Sequence, residues 1–185
     1  LTNDNAVRLL ANTIATGAGL FVLITSFANI SGAHLNPFVS LSMYLTKKIK
    51  GKELLTYVPA QILGCLLGVM LANVFFEHSI IELSTKNRDG FHIFLSEIVA
   101  TFGLIFIIFA TLKDGKTTVA ACVATYISAG YWFTSSTSFA NPAVAIARTF
   151  TDSFTGINYL NTPTYIFAEL LGAIVAVYII KRLIK

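Results

Sequence analysis

Five apolar runs divide the chain: Ile14–Ala28, Leu54–Phe76, Phe91–Leu112, Thr117–Phe133 and Tyr165–Ile180. Several approach the roughly 20 residues that a helix needs to cross a bilayer core. The pattern predicts full helices over about Ala6–Ala28, Leu54–Phe76, Phe94–Leu112 and Thr117–Phe133. A last one starts at Pro163, with Thr162 as its cap, and runs to the basic tail. Two segments break the rhythm. Ser31–Leu45 (SGAHLNPFVSL and the residues after it) and Ser136–Phe150 (containing SFANPAVAIAR) open with polar groups and an Asn-Pro pair, then turn apolar for only two or three helical turns. Each reads as a loop that enters the membrane, starts a half-helix and returns.

Composition agrees with a polytopic membrane protein. Charged residues are 12% of the chain and apolar ones 55%, with 15 Phe; a soluble domain carries about 25% charged residues. Cys65 and Cys122 fall inside predicted spans and form no metal or disulfide pattern. The net charge of +4 is concentrated in three places: Lys47, Lys48, Lys50 and Lys52; Lys113 and Lys116; and Lys181, Arg182 and Lys185. The positive-inside rule puts these clusters, and with them the C-terminus, on the cytoplasmic side of the inner (plasma) membrane. That alternation works only if Ser31–Leu45 is a half-span. Short cytoplasmic loops account for the lysines, so nucleic acid is not an expected partner; lipid is.

The two halves align on their Asn-Pro pairs at an offset of 105 residues, Asn36 to Asn141. YVPAQILGCLLG (Tyr57–Gly68) then resembles YIFAELLGAIVA (Tyr165–Ala176). Each half has an odd number of full spans, so the halves are expected to be inverted, with a site near the midplane where the interrupted segments meet. A single domain over 1–185 follows, with a first repeat at 1–90 and a second at 91–185. FLSEIVATFGLIF in the second repeat has no partner in the first, and the chain starts at Leu1. The expectation is that the first transmembrane helix, about 25–35 residues, is missing and the first repeat is N-terminally incomplete.

SGAHLNP and FANPA resemble the paired Asn-Pro-Ala boxes of the aquaporin and glycerol-facilitator (major intrinsic protein) family, and AEL-LG and SEI-ATF resemble its helix motifs. The resemblance covers essentially the whole chain. It implies an all-α membrane protein, a right-handed helical bundle of inverted repeats with two re-entrant half-helices, assembled as a homotetramer with one pore per subunit. No cofactor, metal or enzymatic activity is implied. The first box departs from the pattern: it reads Asn36-Pro37-Phe38, against Asn141-Pro142-Ala143 in the second. The sequence leaves open whether Phe38 narrows or dries the centre.

The chemistry of the boxes follows from physics. Irregular backbone at membrane depth is tolerated where it lines a cavity or is buried in protein. The carbonyls of Gly32, Ala33 and His34, and of Thr137, Ser138 and Phe139, are thus expected along a polar path. Asn36 and Asn141 cap their half-helices, and Pro37 and Pro142 suit the first turn. Two helix N-termini then meet, each carrying about half a positive charge, and two Asn amides offer donors to a passing oxygen. The plainer reading, caps alone, is disfavoured by the duplication. Glu97 and Glu169 are acids well inside spans and hence functional candidates; the resemblance makes them braces for the re-entrant loops, with proton relay the alternative and Gln61 the neutral counterpart. His34 is expected to hold its loop through its ring.

The resemblance also places a four-residue constriction, here Thr16, Ala129, Ser138 and Val144. Most members have Arg at the last position. A set without a large ring or a cation implies a wider filter that passes solutes larger than water, such as glycerol-like polyols, urea or neutral metalloid hydroxides. The set resembles a bacterial subgroup associated with arsenic resistance, which adds arsenite to the candidate solutes. Arg148, one turn beyond Val144, either charges the outer vestibule or, the favoured reading, pairs with Asp152. Two other classes stay open: a secondary transporter with inverted repeats, which would need coupling-ion ligands, and a non-conducting channel fragment.

Overall fold

The computed structural model describes residues 3–183. Among them it has seven α-helices and no strand: α1 (Asn5–Phe27), α2 (Pro37–Leu45), α3 (Gly51–Phe75), α4 (Phe91–Thr111), α5 (Lys116–Phe133), α6 (Pro142–Ala147) and α7 (Thr162–Leu183). A 3-10 turn, Arg148–Phe150, prolongs α6. The expected helices are all present, with ends moved by a few residues. α3 begins ahead of Leu54 because the Lys50 N–H donates to Glu53 Oε2 at 2.7 Å, winding the charged residues into its first turn. At α7, Thr162 is already helical and its hydroxyl is buried without a partner, so it does not cap. The backbone carbonyl of Asn161 accepts from the Thr164 and Tyr165 N–H groups instead.

α1, α3, α4 and α7 are long and apolar enough to cross a membrane. α5, with 18 residues, is about 27 Å long and lies along α1. The two run antiparallel. Trp132 Nε1 donates to the Thr13 hydroxyl (3.1 Å) near one end, and Lys116 Nζ donates to Asn29 Oδ1 (2.6 Å) near the other. α4 and α7 form the closest pair. Gly172 permits this: a Cβ there would collide with the Ile98 carbonyl oxygen and sit 3.0 Å from the Phe102 nitrogen. Leu104, Ile105, Ile108 and Phe109 of α4 join Ala173, Ala176, Val177 and Ile180 of α7 in the main core, beside Phe38, Val39 and Met43 of α2. Outward-facing Leu55, Leu63, Leu67 and Leu71 of α3 stay exposed. Such a continuous apolar face suits acyl chains rather than water.

α2 and α6 are too short to span. They start close together in the interior and run to opposite ends. The end reached by α6 is closed by two loops, 77–90 and 151–161. Ser84 N–H donates to the Thr149 carbonyl (2.9 Å) and Asn158 N–H to the Lys86 carbonyl (2.8 Å). Arg88 donates to the carbonyls of Gly156 (3.0 Å) and Phe154 (2.7 Å). Asp152 accepts from the Thr85 N–H (2.9 Å) and pairs with Lys86 (3.2 Å). The Thr85 N–H above all, together with Lys86 and the Thr85 hydroxyl, holds the Asp152 carboxyl below the usual range.

Candidate pore between the half-helices

Both broken segments carry residues in the left-handed region, and they match position by position at the offset of 105. Gly32 (φ 77°) corresponds to Thr137 (63°), Ala33 (48°) to Ser138 (51°), and Leu35 (51°) to Ala140 (47°). Asn36 and Asn141 then return to extended backbone, both at φ −158°. An L-residue in the left-handed region costs about 1–2 kcal/mol. Six such positions, five of them not glycine, persist because the surroundings fix them.

The asparagines do part of the fixing. Asn36 Oδ1 accepts from the Phe38 N–H (2.8 Å), and Asn141 Oδ1 from the Ala143 N–H (3.1 Å) and Val144 N–H (3.4 Å). Their amide nitrogens cross over. Asn36 Nδ2 donates to the Ala140 carbonyl (2.6 Å) and Asn141 Nδ2 to the Leu35 carbonyl (2.9 Å). Each box therefore holds the loop of the other. An amide nitrogen carries two hydrogens, so each Asn keeps one N–H beyond the crossed bond, and both residues line the cavity between the half-helices.

The acids in the spans serve the second loop. Glu97, fully buried, accepts from the Phe139 N–H (2.9 Å) and Ala140 N–H (2.7 Å) through its two oxygens. Glu169 accepts from the Asn141 N–H (2.9 Å). The first loop is held differently. Gln61 Nε2 donates to the Ser40 hydroxyl (3.0 Å), which also meets His34 Nδ1 (3.0 Å), and the Tyr57 hydroxyl donates to the Ser31 carbonyl (2.9 Å). His34 packs edge-on against Tyr57.

A cavity of about 170 Å³ runs past these groups, roughly ten times the ~15 Å³ that houses one water. Gly32, Ala33, His34, Leu35, Asn36, Ser138, Phe139, Asn141 and Val144 line it. One wall is apolar, with Leu20, Ile24, Val39, Met43, Leu104, Ile108, Val123 and Ile127. Thr16, Tyr131 and Arg148 line it as well. The Thr16 and Tyr131 hydroxyls are 3.0 Å apart, and Arg148 Nη2 donates to the Tyr131 oxygen at 3.5 Å. The Ser138 hydroxyl is buried without a protein partner. Gly130 makes room for it, since a Cβ there would lie 2.6 Å from Ser138 Oγ.

Three expectations are corrected, for Ala129, Thr137 and Arg148, and the open question of Phe38 is answered. Ala129 is exposed and off the cavity; Ile127 and Tyr131, one helical turn apart, face the lumen, and a residue midway between them points elsewhere. Thr137 is half-buried and lies outside the lining, although its neighbours Ser138 and Phe139 belong to it. Phe38 packs into the core with Val39 and Met43 and does not narrow the cavity. Arg148 does not pair with Asp152, whose oxygens are taken by Thr85 and Lys86; its guanidinium lies over the Phe139 ring, 4.2 Å from the centroid. Tyr131 was missed by counting from Asn141. Helical periodicity from Ile127 would have pointed to it.

A sequence model of the family described as Major intrinsic protein matches residues 1–134. The aquaglyceroporin AqpS of Rhizobium meliloti is 46% identical over 185 residues, covering the whole chain and 79% of that protein. Aquaporin-4 of Rattus norvegicus is 27% identical over 183 residues, covering 94% of the chain and 56% of that protein. Aquaporin TIP1-2 of Musa acuminata is 37% identical over 123 residues, covering 63% of the chain and 48% of that protein. The chain thus spans about half the length of these last two relatives.

Proposed function

The chain belongs to the major intrinsic protein family, and we propose that it is a passive transmembrane channel for water and small neutral solutes. Glycerol-like polyols, urea and neutral metalloid hydroxides such as arsenite are the solute classes in view. The observation that carries the reading is the meeting of two capped half-helices at one cavity, each Asn amide crossed to the opposite loop and both lining the path. Two N-terminal dipole ends, each about half a positive charge, raise the energy of a cation there and leave a neutral hydroxyl solute a donor to exchange for water. Residues 1–90 and 91–185 are read as inverted repeats, supported by the matched left-handed positions.

At the outer constriction the filter comprises Thr16, Tyr131, Ser138 and Val144. Tyr131 brings a ring into the set, so the reading of an aperture that admits solutes wider than water rests on Val144, which offers neither charge nor donor. The name of the rhizobial relative, an aquaglyceroporin, supports the same solute class. Placement in the inner membrane, with the three basic clusters cytoplasmic, rests on charge distribution. Assembly as a homotetramer rests on the family alone.

The test is stopped-flow light scattering on proteoliposomes, with water, glycerol and arsenite compared side by side. Glycerol flux should rise linearly with its gradient and ignore a proton gradient. Val144→Arg should cut glycerol and arsenite flux tenfold or more and spare water. Saturation at low solute concentration, or glycerol flux unmoved by Val144→Arg, would sink the reading.

A further inference from the structure

Val144 puts no charge on the side of the second half-helix that lines the cavity, yet the cavity is not without a cation. Arg148 stands four residues further along, about 6 Å outward, and lines the same cavity. Its guanidinium is held by the face of Phe139 (4.2 Å to the centroid) and by the Tyr131 hydroxyl (3.5 Å), which in turn meets the Thr16 hydroxyl (3.0 Å). The nearby carboxylate, Asp152, is engaged by Thr85 and Lys86. Among the described residues the ion pairs are His78–Glu82 and Lys86–Asp152, and neither includes Arg148.

Arg88 makes the contrast clear. It lies by the same Phe139 ring, 6.0 Å from the centroid, but spends its donors on the Gly156 and Phe154 carbonyls. Of two guanidiniums at one ring, one ties the loops together. The other has a single hydrogen bond, at 3.5 Å, and a guanidinium has five N–H donors. The remaining donors of Arg148 and its full charge are available to the lumen. A ring face plus one hydroxyl is enough to orient a guanidinium without neutralising it.

We propose that Arg148, seated on Phe139 and Tyr131, is the specificity-determining cation of this channel, displaced one helical turn outward from position 144. This rests on the channel reading above and names what sets its selectivity. Separating the two tasks in space explains how one pore can be both wide and cation-rejecting. Val144 sets an aperture large enough for a polyol or a metalloid hydroxide. Arg148 repels cations at the mouth and presents N–H donors that a solute rich in hydroxyl oxygens accepts while it sheds water.

The test uses the reconstituted protein with glycerol flux read by light scattering and sodium entry read by an entrapped sodium-sensitive dye. The readout is the ratio of sodium to glycerol permeability. Removing a unit charge at the mouth should raise that ratio by on the order of tenfold or more. Arg148→Gln should do so, and Arg148→Lys, which keeps the charge, should stay within about threefold of wild type. Where Gln does not fold, Arg148→Met, which keeps an apolar chain against Phe139, is measured in its place. The exchange Val144→Arg with Arg148→Val should restore cation rejection and lower glycerol flux. An unchanged ratio in a conducting Gln or Met variant, or an exchange variant that leaks sodium as Gln does, overturns the assignment alone. Wild-type protein that passes neither water nor glycerol overturns both this assignment and the channel reading.

Discussion

Glu97→Gln isolates the brace on the second loop. The native carboxyl group is fully buried and uses both oxygens, one on the Phe139 N–H and one on the Ala140 N–H. Gln has nearly the same shape but only one acceptor. Its amide nitrogen must face one of the two N–H groups, leaving a buried donor unpaired, at about 1–3 kcal/mol. The affected stretch includes left-handed Ser138 and Ala140, whose strain of about 1–2 kcal/mol each is held in place by these bonds. A loss of about 2 kcal/mol should lower the unfolding midpoint by about 4–8 °C for a chain of this size. Glu97→Ala strips both acceptors and should fall further. The assay is a thermal unfolding scan in detergent with thiol-reactive dye, followed by glycerol flux on the folded fraction. The order wild type, Gln, Ala is expected in both. A Gln variant as stable as wild type whose flux has become insensitive to an imposed proton gradient, when wild type is sensitive, would refute bracing in favour of proton relay.

Other positions make narrower claims. Gly172→Ala drives a methyl into the Ile98 carbonyl and should force α4 and α7 apart, costing about 1–3 kcal/mol; an unfolding midpoint within a degree of wild type would contradict that contact. Gly32→Ala should destabilise by about 1 kcal/mol, because its φ of 77° suits glycine, whereas Thr137→Gly at the matching position should be neutral or stabilising. Equal effects in chemical unfolding would deny the correspondence. Asp152 has its folded pKa below the unfolded value, about 3.9. Its contribution to clasping the 77–90 and 151–161 loops is therefore present above that value and is lost as pH falls through the folded one. Limited proteolysis of the 77–90 loop should accelerate below about pH 4 in wild type; Asp152→Asn should cut fast at every pH, and identical pH profiles would count against the clasp.

Much of this architecture is legible along the chain because its signals are local. An apolar run of 20 residues names a span by itself, and an Asn-Pro pair fixes both the cap and the first turn of a half-helix. Glu97 and Glu169 announce themselves because an acid in oil needs a reason. The proposed filter is less legible because it depends on rotation about a helix axis. A fixed count from Asn141 reached Ala129 on the exposed face of α5, while the lumen sees Ile127 and Tyr131. Arg148 failed for another reason. Asp152 is its obvious partner four residues on, but the 3-10 turn at Arg148–Phe150 ends the helix, and Lys86 and Thr85 arrive from a loop more than sixty residues away. Phe38 is undecidable along the chain, since only packing decides whether a ring faces a cavity or a core.

The two repeats share one backbone path but are supported unequally, and strain gives the reason. The first loop places glycine at one of its three left-handed positions; the second has Thr137, Ser138 and Ala140 at all three. At about 1–2 kcal/mol per non-glycine position, the second loop carries the greater strain. It also receives the stronger support: three backbone N–H groups in succession, Phe139, Ala140 and Asn141, donate to buried carboxyl oxygens. In the first loop the matching brace, Gln61, reaches only the Ser40 hydroxyl on α2, and the loop is steadied through His34 and Tyr57. The strained, tightly held loop is the one that presents Ser138 and Phe139 to the lumen and seats Arg148 on the Phe139 ring. Backbone support is thus concentrated in the loop that carries the proposed selectivity residues, and the first loop completes the cavity lining.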